Sequence, residues 1–322
     1  MFRPKLIVIF LLFAIVVVVA ALFCCPSIIL PWQMSSDDAQ IFYSLRAPRV
    51  FVAFLVGAAL ATAGTILQSI LRNPLADPFI LGISSGSALF AVLAIYLGSS
   101  LFGLFTVPLF AFIGALLVTV ATLVWGWQRG TFWPLRLLLS GLGISFFLQA
   151  LLTFILNIFS PEGLRGAIAW LSGDLTMVDW SLIPYALVFI VIGVVIAMVR
   201  AKAVNALMLG DELAITLGFA VHRERVLLFV AMSLMTAAAV SLVGIVGFVG
   251  LITPHVARSF VGASHERLLP IVTLLGGVFL VFSDMLARTL LHPTEIPVGV
   301  VTALLGAPYF LYLLRRENVL RQ

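Results

Sequence analysis

AVNALMLGDELAITLGFAVHRERV, residues 203–226, is the stretch that decides how this chain is read. It is the longest polar interruption in the second half of an otherwise apolar sequence, with apolar runs at 182–199 and 227–242 on either side. Gly210-Asp211-Glu212 predicts the opening of a short helical turn. Gly218 predicts its end, because glycine takes the left-handed conformation that closes helices. His222-Arg223-Glu224-Arg225 then leads into the next apolar run. A short helix across the mouth of a membrane bundle is a shape that another protein can grip, so the stretch reads as the place where an outside motor pushes on a channel.

Outward from this elbow the chain is greasy. Its 322 residues are 63% hydrophobic and 10% charged, against roughly 25% charged in a soluble domain. No water-soluble fold hides that much apolar surface. A spanning helix needs about 20 mostly apolar residues. Ten segments meet or approach this: 6–30, 50–71, 79–101, 104–127, 135–159, 182–199, 226–243, 244–261, 268–291 and 296–314. The seventh and eighth part at Gly244 and Gly247 with no charged loop between them, so nine spans is the competing count. The expected fold is an all-α polytopic membrane protein of about ten transmembrane helices, one domain over residues 1–322.

The net charge of +5 follows from topology. With ten spans and both termini cytoplasmic, every Lys and Arg except Arg46, Arg49, Arg165 and Arg288 falls inside, as the positive-inside rule requires. No nucleic-acid partner is needed to explain the charge. Cys24 and Cys25 are adjacent in the first span and cannot bridge without distorting the backbone, which leaves packing. The start looks like a secretion signal, but no small-x-small site precedes Pro26 and nine spans follow, so it reads as the first helix.

Residues 57–64, GAALATAG, are small enough for helix backbones to approach closely, within one subunit before any dimer face. Two places look built to break helices: NPLADP at 73–78 with GISSGS at 82–87, and GLITPH at 250–255. Proline removes a donor and unsettles the residue before it, and non-helical backbone survives at membrane depth only where protein buries it or water reaches it. Their similar positions in the two halves leave a weak internal duplication open. Outer loops are expected at 31–46 and 160–180, the second with a short interfacial helix at 167–172 around Trp170.

The absences narrow the chemistry. The only lysines, Lys5 and Lys202, lie in no G-x-x-x-x-G-K-[ST] loop, so the chain cannot cradle nucleotide phosphates and any ATP must come with a partner. His222, His255, His265 and His292 have no second ligand at metal spacing. No nucleophilic triad or paired carboxylate stands out, and no catalysis is assigned. Asp284 and Arg288, four apart, share a helix face and can pair. An intramembrane ion pair is a functional suspect, with a purely structural pair as the alternative. A single mid-depth carboxylate counts against an ion-coupled carrier. Arg46 and Arg49 break the topology rule on the outer side, where an acidic partner or lipid headgroups would accept them.

Taken together, these stretches resemble the permease subunits of bacterial ABC importers for iron chelates, haem and cobalamin, the FecCD type. The resemblance rests on RAPR at 46–49, GAALA at 57–61, NPLADP at 73–78 with Leu81-Gly82, LGDE at 209–212 with Leu217-Gly218, GFVGL at 247–251 with Pro254-His255 and Arg258, and IPVGVVTA at 296–303 with Gly306-Ala307-Pro308. It implies a type II importer permease fold in the bacterial inner membrane. It further implies a second permease subunit, identical or a sibling, and two cytoplasmic ATPase subunits that bind the ATP and Mg. A periplasmic binding protein delivers the cargo. The chain itself then has no cofactor. By the same resemblance Leu209, Gly210, Asp211, Glu212, Leu217 and Gly218 couple to the ATPase, and Arg46, Arg49 and Arg288 dock the binding protein. Thr131, Trp133, Pro134 and Leu135 mark the inner gate, which is bulkier and less polar than in the cobalamin relative. The expected cargo is an intact ferric siderophore, with haem, cobalamin or an oxyanion as alternatives.

Overall fold

The computed structural model describes residues 4–23, 34–98, 101–128, 131–176 and 178–315. Cys24 and Cys25 lie outside them. Among the described residues the regular structure is helical apart from a two-residue ladder that pairs β1 (Trp127–Gln128) with β2 (Thr131–Phe132). In chain order the helices are α1 (Pro4–Phe23), α2 (Ser36–Ile41), α3 (Ala47–Leu71), α4 (Ile83–Tyr96), α5 (Thr106–Gly126), α6 (Pro134–Leu156), α7 (Pro161–Leu171) and α8 (Ile183–Val199). There follow α9 (Ala201–Leu209), α10 (Asp211–Thr216), α11 (Val221–Val243), α12 (Val249–Val261), α13 (His265–Thr289) and α14 (Val298–Arg315). Each of the ten expected spans has a principal helix among these.

At the centre stands α3. It packs most extensively on α13, and also on α11 and α12. Most of its 25 residues are buried, and at about 1.5 Å per residue it runs about 37 Å. The small residues make this possible. A methyl group on Gly57 would overlap the carbonyl of Gly276 on α13, and one on Gly64 would overlap Gly250 on α12. Backbone touches backbone within one chain, because lipid supplies no hydrophobic drive and close packing must replace it.

The structure corrects three boundaries. The second span begins well before residue 50: Ser35 forms a capping box with Asp38, and helix continues from Ser36 through a π turn at Phe42–Arg46 into α3. Much of the expected outer loop at 31–46 is therefore helix, and RAPR lies inside it. The π turn admits Pro48, whose ring and missing N–H would disrupt a regular α ladder. The third span is helical only from Ile83, after a 3-10 turn at Pro78–Leu81 capped by Asp77.

The seventh and eighth spans are separate and part where expected, at Gly244 and Gly247, while the helix break expected at 250–255 is not there, because helix resumes at Val249. Residues 244–248 are non-helical, with positive φ at Gly244 and Phe248. Pro254 sits inside α12 instead of ending it. Proline forfeits the bond to the carbonyl four residues back, and here Gln68 on α3 donates its side-chain amide to that Gly250 oxygen at 3.1 Å. The 13-residue α12 is too short to span alone. The five non-helical residues ahead of it lengthen the segment toward the roughly 30 Å of a hydrocarbon core. Protein buries or half-buries that irregular backbone, which is the condition for keeping it at depth.

Candidate functional site

Contacts along α3 and its antiparallel neighbour α13 separate two ends of the bundle. Arg49 meets Asp284 at one end, and Ser69 meets His265 at the other.

The elbow lies at the Ser69 end. Gly210, at φ 115° and ψ 156°, divides it into α9 and α10. Sequence reasoning placed α10 but missed α9. Gly218 closes α10 as expected: its φ is 84°, its N–H donates to the Ile215 carbonyl at 2.8 Å, and the Phe219 N–H donates to the Ala214 carbonyl at 3.0 Å. This is the Schellman pairing, which needs a left-handed residue at that point. Ala214 is the only buried residue of α10. Leu209, Leu213, Ile215 and Leu217 are 60%, 54%, 63% and 59% exposed, an apolar face turned outward, and Glu212 is exposed beside it.

Polar ties hold the elbow to the bundle. Asp211 Oδ1 accepts from Arg225 Nη2 on α11 at 2.8 Å and also from Arg72 Nη2. Arg72 Nε donates to the Leu207 carbonyl near the end of α9 at 2.9 Å. Partial burial pushes the Asp211 carboxyl up, but the hydrogen bond and charge of Arg225, with the charge of Arg72, hold it below its ordinary value. Asn205 Oδ1 accepts from the His265 backbone N–H at 2.9 Å and stands 2.8 Å from Nδ1, while Ser69 Oγ lies 2.9 Å from Nε2. That buried chain joins α9, α13 and α3.

At the other end the outer arginines are largely engaged within the chain. Arg46 is 5% exposed and donates to the Leu22 carbonyl, and Arg288 is 2% exposed and donates to the Ala21 carbonyl. Both cap the last carbonyls of α1, which have no partner in their own helix. Asp284, fully buried, is the hub. Arg288 pairs with it at 3.1 Å and Arg49 at 2.8 Å, while Arg49 also reaches Glu295 at 2.8 Å. The expected Asp284–Arg288 pair is thus present, enlarged by Arg49 and Glu295. Arg49 is the most accessible of the three arginines, with 13% of its side chain exposed. A cavity of about 160 Å³ beside it is bordered by Asp174, Thr176, Glu295 and Val298. Glu295 carried no sequence signal of its own, since only the fold sets it against Arg49.

The segment expected to form the inner gate comprises β2, Trp133 and the start of α6. Trp133 and Leu135 are 57% and 65% exposed, Pro134 opens α6, and the side chain of Thr131 lies outside the described residues. Only Leu137, Gly141 and Leu152 of α6 are buried, so most of this helix faces outward. Among the described residues no group of three His, Cys, Asp or Glu could hold a metal ion.

A bundle of apolar helices with an irregular buried segment and an exposed elbow has the form of a transporter's membrane subunit. The chain superposes, with a TM-score of 0.89 and 31% identity over 98% of its own length and all of the other, on a solved metal-chelate type ABC transporter in an inward-facing conformation. It is the transmembrane permease of an ABC transporter. The model of the FecCD transport family matches residues 6–316, and the chain belongs to that family. It is 40% identical to the iron(3+)-hydroxamate import system permease protein FhuG of Bacillus subtilis, covering 89% of this chain and 87% of the relative. It is 43% identical to the cobalamin import system permease protein BtuC of Halobacterium salinarum, covering 88% and 76%. As a member of this family it is a multi-pass protein of the bacterial membrane.

Proposed function

We propose that this chain is the conduit through which partner ATPases drive an intact ferric siderophore inward across the inner membrane. The supporting observation is the elbow: four exposed apolar side chains on and flanking the six-residue α10, tied to the bundle by a half-buried and an exposed ion pair. A face of that kind is favourable when another protein covers it. The charge distribution supports a cytoplasmic elbow, with both termini on the same side. There Leu209, Gly210, Asp211, Glu212, Leu217 and Gly218 meet the ATPase, which alone binds ATP and Mg; this subunit is not an enzyme. At the opposite end a periplasmic binding protein docks on Arg49, with Arg46 and Arg288 behind it. The outward face of α6, including Phe146, Phe147 and Phe154, meets the second permease subunit and borders the path. The segment of Thr131, Trp133, Pro134 and Leu135 closes it from inside.

The relative named for iron(3+)-hydroxamate import supports the siderophore. A cobalamin cargo is the second reading, favoured by the relative of 43% identity. The cognate binding protein, titrated with a ferric hydroxamate and with cobalamin, separates them: the reading predicts binding of the first alone, and cobalamin binding alone overturns it. Arg49→Glu is expected to weaken docking of the binding protein, and unchanged docking and uptake would remove that role.

A further inference from the structure

How a push on α10 reaches the spans is a question of grip. The apolar grip is thin, since Ala214 is the one buried residue of α10. The remaining ties are electrostatic, and they converge on one oxygen. Asp211 Oδ1 receives Arg225 from α11 and Arg72 from the end of α3. Arg225 is 3% exposed, so its side chain has little freedom to follow α10 without moving α11.

Arg72 carries a second sign. It has φ 49° and ψ 39°, the left-handed conformation that closes α3 and that glycine adopts without cost. For a residue with a Cβ this conformation is strained, and such strain persists where the surroundings hold it. Glycine would end the helix more easily but could reach nothing. The arginine instead spans the elbow, with Nε on the Leu207 carbonyl of α9 and Nη2 on Asp211 of α10. One side chain at the foot of the most buried helix therefore holds both arms of the elbow.

We infer that Arg72 and Arg225 are positioning residues for transport: through Asp211 they convert displacement of α10 into movement of α3 and α11. This rests on the reading of α10 as the ATPase contact. Arg72 and Arg225 lie on the bundle side of the elbow, so their neutral variants leave the ATPase bound and hydrolysing but disconnected from the conduit.

The test uses the complete importer, with its ATPase and binding protein, reconstituted in liposomes and supplied with the cargo its binding protein retains. Variants Arg72→Gln, Arg72→Lys, Arg225→Gln and Leu213→Asp are compared for ATPase co-purification, ATP hydrolysis and uptake. Arg72→Gln and Arg225→Gln are expected to keep the ATPase and its hydrolysis while uptake per ATP falls about tenfold, and Arg72→Lys recovers part of it. Leu213→Asp is expected to lose the ATPase itself. Retention of the ATPase by Leu213→Asp overturns the reading of α10 as the contact. If Leu213→Asp releases the ATPase while Arg72→Gln transports with unchanged uptake per ATP, the transmission role alone is overturned. Loss of the ATPase from Arg72→Gln also overturns it, by making the residue part of the contact. Arg72 is 41% exposed at its side chain, so its variant separates transmission from folding even where Arg225→Gln fails to assemble.

Discussion

Asp284→Asn removes one negative charge from a site closed to bulk solvent. Asp284 is fully buried and Arg288 is 2% exposed. The substitution keeps the shape and one acceptor oxygen but strands the Arg288 guanidinium, and leaves Arg49 with Glu295 alone. Breaking a buried pair from one side costs about 3–5 kcal/mol, because the surviving charge remains desolvated. In detergent the purified permease is expected to unfold on the order of 5–10 °C lower, read by intrinsic tryptophan fluorescence on heating. The double variant Asp284→Asn with Arg288→Gln removes both charges and keeps a donor for the Ala21 carbonyl, so it should recover most of the loss. A midpoint unchanged in the single variant would refute the reasoning. A double variant no better than the single would show that the loss came from something other than the stranded cation.

Three further outcomes follow from other parts of the bundle. Gln68→Leu leaves the Gly250 carbonyl without its donor beside Pro254, at a cost of about 1–3 kcal/mol, and should lower the unfolding midpoint and loosen α12 in hydrogen exchange. Gly64→Leu places a side chain where the backbone of α12 lies, and is expected to abolish assembly, checked by size-exclusion profile. Burial pushes the Asp77 carboxyl up to about 6, so the folded chain binds its proton more tightly than the unfolded chain and loses stability as pH rises from about 4 to 6. Asp77→Asn keeps the acceptor for the Phe79 N–H and should stabilise the permease at pH 7 by about 1–3 kcal/mol, discounted from 1.36 kcal/mol per pKa unit. That advantage should vanish in melts at pH 4, and a gain equal at both pH values would contradict it.

Much of the architecture was legible because the bilayer is a strict solvent. It demands long apolar runs and tolerates few charges, so helix number, the small-residue face of α3 and the position of α10 could all be read along the chain. Gly210 and Gly218 were readable for a local reason, since a turn that needs positive φ selects glycine. The helix break expected at 250–255 was misplaced because local rules assign Pro254 to a helix end. Whether a carbonyl freed by proline can survive depends on a donor 182 positions earlier in the sequence, Gln68, which no local rule sees.

The arginines show the same division. Their sequence positions identified Arg46, Arg49 and Arg288 as unusual charges, and spacing paired Asp284 with Arg288. Only the folded chain brings Arg46 and Arg288 to the end of α1, sets Glu295 against Arg49, and gathers Arg72 and Arg225 on Asp211. The sequence by itself determined which segments leave water and which residues bend the backbone, because hydropathy and φ preference belong to single residues. Tertiary structure decided the partner of each charge, because in a low-dielectric interior a charge is stabilised by whatever stands within a few ångströms of it, however distant along the chain.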